Sequence, residues 1–165
     1  MDLVTSRFGV MFFPDPLGAF ANLHGALRPT GRLSFICWQA LKLNPWMAVP
    51  VRAAFEILPR PAPLAPNAPG PFAFADPDHV CGTLERAGFQ RVTLTPHEAL
   101  LDLGSLEDAI EQMTHMGPAA QAFDEASTTD KTRVLEALTV ALTPYVSAGT
   151  VRMLSATWLV SARPT

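Results

Sequence analysis

The chain reads as an α/β layer structure, and three observations lead there. A strand, a capped helix, a proline–glycine turn and a second strand follow one another at its start. Asp-Pro or Asn-Pro opens a helix at three separate places. A long apolar strand closes the chain after a stretch of helical periodicity. Strands alternating with helical segments are the signature of βαβ construction.

Leu3-Val4-Thr5-Ser6-Arg7-Phe8-Gly9 is apolar and β-branched at its start, which predicts a strand. Asp15 is placed to cap a helix, with Pro16 at the first helical position, where its missing N–H costs nothing. Leu17, Phe20, Leu23 or His24, and Leu27 follow at helical spacing. Arg28-Pro29-Thr30-Gly31 is a turn, and Arg32 to Trp38 is a near-continuous apolar strand of the kind buried on both faces. Together these predict one βαβ unit, with Arg7 and Trp38 at the carboxyl ends of adjacent parallel strands and lining one cleft.

Asn44-Pro45 predicts a helix toward Leu58 with a kink or restart at Pro50. Pro59 to Pro71 reads as a semi-extended surface segment. Asp76-Pro77 opens a helix that carries Val80, Leu84 and Ala87 inward and stops at Gly88, with Phe89 folding back. Arg91 to Thr95 alternates as a strand. Ser105-Leu106-Glu107-Asp108 resembles a capping box, with Leu106, Ile110 and Met113 on one face and a break at Gly117-Pro118. An amphipathic helix is predicted from Thr129 to Pro144, then a turn at Ser147-Ala148-Gly149. The last strand, Val151 to Ala162, sets Leu154, Ala156, Trp158 and Val160 on one face.

Composition narrows the function. The 165 residues carry a formal charge of −3 without a basic stretch, so no nucleic-acid footprint is present. No apolar run reaches the roughly 18 residues of a spanning helix, and the first residues lack the pattern of a signal peptide. Cys37 and Cys81 are too few for a disulfide framework and read as two buried thiols in a reducing cytoplasm. His24, His79, His97 and His115 are scattered, so no metal site is expected. Gly104-Ser105 lacks the nucleophile elbow of hydrolases.

The stretch Asp2 to Phe13 followed by Asp15-Pro16 resembles the fourth strand and following loop of a bacterial subfamily of class I S-adenosylmethionine-dependent methyltransferases. Leu27-Arg28-Pro29-Thr30-Gly31-Arg32-Leu33 looks like that family's turn into its fifth strand, with Thr30 in place of a usual glycine. Cys37-Trp38 with Asn44-Pro45-Trp46, Pro71 to Pro77, Ala87-Gly88-Phe89 and the terminal tryptophan-bearing strand continue the likeness over essentially the whole chain. The family's sheet runs 3-2-1-4-5-7-6. The resemblance therefore implies a partial Rossmann-like methyltransferase sheet, strands equivalent to 4-5-7-6 with the last one antiparallel, plus helices and an α-helical cap insertion. It implies one incomplete domain, 1–165, with 39–75 as cap and Pro-rich insertion and 98–148 as a helical segment.

The resemblance also implies roles. Ser6, Arg7, Phe8 and Gly9 would meet S-adenosylmethionine, with Arg7 or the Phe8 backbone touching its methionine part; the alternative is a strand end with a surface arginine. Met11, Trp38, Asn44 and Trp46 would wall a small-molecule pocket. The alternatives are hydrophobic packing with Asn44 as a helix cap, and Met11 as a core or gap filler like Met113 and Met116. His24 is a candidate proton acceptor, or a plain half-buried histidine; no catalytic residue is assigned. The glycine-rich loop and ribose-binding carboxylate of the family are missing from these residues, so cofactor binding by this chain alone is not expected. Met1 stands where the family often has an aromatic residue, which reads as an internal gene start or a fragment. The expected function is a methyltransferase for an unknown small molecule, inactive in this form alone. The alternatives are a non-enzymatic half-domain that associates with itself or a partner through Leu3 to Phe8, and a misdefined product without function.

Overall fold

A computed structural model describes residues 1–63, 65–117 and 119–164. The strands are β1 (Leu3–Arg7), β2 (Arg32–Trp38), β3 (Phe89–Asp102), β4 (Val146–Ser147) and β5 (Thr150–Pro164). The helices are α1 (Pro16–Ala26), α2 (Pro45–Ala54), α3 (Pro77–Arg86), α4 (Leu106–His115), α5 (Ala120–Glu125) and α6 (Thr128–Leu142). The chain forms two compact units. The first comprises Met1–Leu41, Leu64–Glu98 and Ala156–Thr165; the second comprises Lys42–Pro63 and Ala99–Ser155.

The first unit is built on a sheet in the order β1-β2-β5-β3. β1 lies parallel to β2, with Leu3 opposite Arg32 and Arg7 opposite Ile36. β5 lies antiparallel to β2, with Leu33 opposite Ala162 and Trp38 opposite Thr157. This is the 4-5-7-6 order with its antiparallel strand, as the resemblance implies. The connection from β1 to β2 is made locally. The Asp15 carboxylate accepts from Gly18 N at 3.0 Å and starts α1. The turn back closes with Gly31 N donating to Arg28 O at 2.7 Å. A Cβ on Gly31 would lie 2.9 Å from that oxygen and 3.0 Å from Met1 O, so this position needs glycine even though Thr30 is not one.

One sheet face carries the core. Leu33, Phe35, Cys37, Val160 and Ala162 from the sheet meet Phe20 of α1, Val80 and Leu84 of α3, and Phe74, all buried. α1 and α3 also touch each other. The Phe20 ring packs on Phe13, Phe35 and Phe74 with centroids 5.9, 5.7 and 5.8 Å apart. α3 starts on the Asp76 carboxylate and gives way at Gly88, whose φ of +97° ends it.

The other face differs from the sequence expectation for β2. Ser34, Ile36 and Trp38 are only half-buried, while Leu33, Phe35 and Cys37 are buried. Both helices that reach this sheet cover the same side, so the apolar run of β2 is buried on one face. In register with it, Leu3 is 46% and Leu159 42% exposed, and Thr5, Arg7 and Thr93 are exposed too. Among the described residues β1 pairs with β2 alone, so its outer edge is free. Cys81 is likewise half-buried where the sequence reading had it buried.

The second unit is mostly helical. Met47, Ala53 and Ala54 of α2, Ala109 and Met113 of α4, and Val134, Leu138 and Leu142 of α6 are buried in it, with Val151 and Met153 of β5. α2 runs through Pro50 to Ala54 without the restart expected there. α4 opens with the predicted capping box: Asp108 N donates to Ser105 Oγ at 3.1 Å, and Ser105 N to Asp108 Oδ2 at 2.9 Å. The predicted break at Gly117-Pro118 involves Pro118, and the Pro59 to Pro71 segment involves Leu64; both lie outside the described residues. The other residues from 59 to 69 are exposed except Ala68. β4 and β5 form a hairpin whose loop residues, Ala148 and Gly149, both have positive φ, as a tight hairpin requires.

Two strand readings change. β3 continues past Thr95 and Pro96 to Asp102, because β3 is the outer strand, where a missing N–H is tolerated. In β5, Leu154 is exposed although Ala156 and Val160 further along are buried. Val151, Met153 and Ser155 are buried, and so are Ala156, Thr157, Val160 and Ala162, so the alternation changes phase at Ser155–Thr157. That is where the strand passes from the second unit to the first.

Candidate functional site

The carboxyl ends of β1 and β2 hold most of the residues singled out by sequence. Phe8 N donates to Ile36 O at 3.1 Å, extending the parallel ladder one step beyond Arg7. Phe8 itself has φ +59°, an uncommon conformation for a bulky side chain. Its ring lies flat on Trp38, with centroids 4.2 Å apart and planes 12° from parallel. The stack helps hold the turned backbone, at about 1 kcal/mol beyond burial for such a pair. Gly9 N donates to Ser6 Oγ at 3.2 Å, and a 3-10 turn over Val10–Phe12 follows.

The structure thus brings Ser6, Phe8, Gly9 and Trp38 together. Arg7 is exposed and lies on the sheet face of Ile36 and Trp38. Met11 is 2% exposed within the core, and its carbonyl accepts from Gly70 N at 3.0 Å. Asn44 and Trp46 belong to the second unit. The Asn44 side chain does not cap α2; its Oδ1 accepts from Trp46 Nε1 at 3.1 Å. Trp46 lines a small apolar cavity of about 20 Å³ with Met47, Pro50, Met113, Phe123 and Leu138. His24 stacks edge-on to Phe89, 5.3 Å between centroids.

Sequence reading missed Gln39 and Thr157. Both are buried, and Gln39 Nε2 donates to Thr157 O at 2.8 Å beside the end of β2. Nothing in the local pattern marks Gln39, because its partner stands far along the chain.

Burial pushes the Cys37 thiol up to about 12. Cys81 is also raised, first by burial and then by Glu85 and Asp78. Asp102 is lowered by the Gly104 N–H and Thr150, and Asp108 by its bonds to Ser105. Among the described residues no three His, Cys, Asp or Glu side chains gather as metal ligands, and no helix is long and apolar enough to cross a membrane.

A nucleoside cofactor needs free N–H groups at a helix start and a close backbone approach. Here the Asp15 carboxylate occupies the start of α1, and a Cβ on Gly18 would run into it. Asp76 fills the start of α3 in the same way. At the starts of α1 and α3 the residues therefore do not fit S-adenosylmethionine.

No protein-family model and no curated protein matches the chain. Among solved structures, it resembles a candidate methyltransferase of Bacillus halodurans, with a TM-score of 0.53 and 16% identity over 99% of this chain and 70% of that one. It also resembles the YcgJ protein of Bacillus subtilis, with a TM-score of 0.52 and 11% identity over 99% of this chain and 64% of that one. The likeness is one of fold, and it agrees with the strand order derived above. The fold is that of class I methyltransferases, of which these residues hold the part equivalent to strands 4-5-7-6.

Proposed function

We propose that this chain is the acceptor-side half of an S-adenosylmethionine-dependent methyltransferase for a small molecule, inactive without the half that cradles the cofactor. The observation that carries this reading is the sheet of the first unit. It has the methyltransferase strand order, yet one face and the β1 edge stand open, with Leu3 and Leu159 exposed on that face. Open α/β sheets bind ligands beyond the carboxyl ends of their strands, so Ser6, Arg7, Phe8 and Gly9 would border the cofactor. Trp38, stacked on Phe8 beside them, would face the acceptor. Methyl transfer depends on alignment and a dry pocket more than on one acid or base, consistent with a site marked by aromatic rings.

The free edge also favours a second reading, a half-domain that pairs with itself or another chain through Leu3 to Phe8. Each ladder hydrogen bond gained there is worth of order 1 kcal/mol, and exposed edges invite such pairing.

Calorimetric titration of the 165-residue chain with S-adenosylmethionine is expected to show no micromolar binding. Supplying the first three strands of a methyltransferase of this fold, fused ahead of Met1, is expected to restore it. Binding by the chain alone, or none by the fusion, overturns the first reading. Light scattering at tens of micromolar (roughly the range in which weak edge pairing appears) tests the second, and a monodisperse monomer sinks it.

A further inference from the structure

A second site lies wholly within the second unit. α4, α5 and α6 border a broad, open groove of about 810 Å³, lined by Leu106 and Ile110 of α4, Phe123 of α5 and Leu135 of α6. That volume is in the range of small-molecule sites, roughly 300–1,000 Å³. Leu106 and Ile110 follow helical spacing and would serve a core, yet both are only half-buried, and Leu135 is 40% exposed.

The polar lining has one sign. Glu107 and Glu111, one turn apart on α4, stand at the groove. Neither carboxylate makes an ion pair or side-chain hydrogen bond among the described residues. Thr114 also lines it, but its hydroxyl donates to Glu111 O at 2.8 Å. No lysine or arginine lines the groove; Lys131 sits 5.8 Å from the Phe123 ring and donates to Asp124 O. An ionised carboxylate only accepts. The groove therefore offers apolar walls and two acceptors, and suits a donor-bearing cation.

Thr114 and Phe123 line both this groove and the small cavity beside Trp46. α5 buries none of its residues, and half-buried Phe123 stands where the two spaces meet. We propose that the groove between α4, α5 and α6 binds a small apolar molecule carrying a protonated amine, with Glu107 and Glu111 holding the ammonium and Phe123 yielding to its apolar body. The proposal stands apart from the methyltransferase reading, since it involves neither β1 nor β2.

The test is a methyl NMR titration of the full chain with octylammonium, octanol and octanoate. Octylammonium is expected to shift the Leu106, Ile110 and Leu135 methyls and to bind about tenfold more tightly than octanoate, as attraction to two exposed carboxylates and repulsion of the octanoate charge together allow. Glu107→Gln with Glu111→Gln should bring octylammonium level with octanol. Leu135→Asp, at an exposed position, should weaken octanol binding. Equal binding of octanoate, shifts centred elsewhere, or an unchanged preference in the double variant would overturn the proposal. So would concentration-dependent shifts of the same methyls without ligand, which would mean a second copy of the chain seated there.

Discussion

The sheet unit and the helical unit solve the same packing problem with different side chains. In the first, Phe20 is wholly buried and its ring meets three others, Phe13, Phe35 and Phe74. In the second, Met47 and Met113 share the interior with Val134, Leu138 and Leu142, beside a cavity. Rings have few rotamers and fixed shapes, whereas methionine bends to fill gaps. The comparison teaches where the molecule is fixed and where it adapts: the parallel β1–β2 pair rests on rings, and the ligand-sized groove adjoins methionines.

The largest expected effect tests that contrast directly. Phe20→Ala should cost about 4 kcal/mol, near the middle of the range for buried aromatic truncations, and Met113→Ala about 2 kcal/mol, at the low end for methionine. Urea denaturation followed by tryptophan fluorescence measures both, and equal losses would erase the distinction. Met113→Leu should cost less than about 1.5 kcal/mol, because it nearly conserves volume.

A smaller effect is expected at the start of α4. Ser105→Ala should cost about 1 kcal/mol by removing the capping hydroxyl. The folded Asp108 carboxyl titrates below its ordinary 3.8. Its stabilising share is therefore present above the unfolded value and fades as pH falls through the folded one. Asp108→Asn should flatten the acid limb of the stability–pH profile in that window, and an unchanged limb would mean the box carries no charge dependence.

The smallest effect is on reactivity. Cys37 is fully buried with its thiol near 12, while Cys81 is half-buried. Iodoacetamide at pH near 8 (roughly the free-thiol range) should modify Cys81 first, and Cys37 only as fast as the sheet unit opens. Comparable rates would show that the sheet unit opens often enough to expose Cys37 as readily as half-buried Cys81.

Much of this fold is written locally. Asp15-Pro16 and Asp76-Pro77 start α1 and α3, and Ser105 to Asp108 starts α4, because each cap is satisfied within three residues of itself. The turn at Arg28 to Gly31 closes on its own Gly31–Arg28 bond, although Arg28 N also reaches Met1 O. The strand order could be reached only through resemblance, since no local pattern says that β5 inserts between β2 and β3. At the candidate site, the residues after β1 were visible in the sequence. The left-handed Phe8 and its stack on Trp38 were not, because the two rings meet only once the strands pair.

By itself, then, the sequence determined where most helices begin, the absence of a basic or metal-binding pattern, and most stretches that become helix or strand, though not α5 or the far half of β3. Tertiary structure alone decided the rest. It fixed which face of β2 is covered, because α1 and α3 chose the same side. It carried β3 through Pro96, because that strand is outermost. It left Asn44 at the N-cap of α2 but gave its side chain to Trp46, and it changed the phase of burial along β5 at Ser155–Thr157. In each case the deciding neighbour is distant in the chain or lies in another layer, and local periodicity holds no record of it.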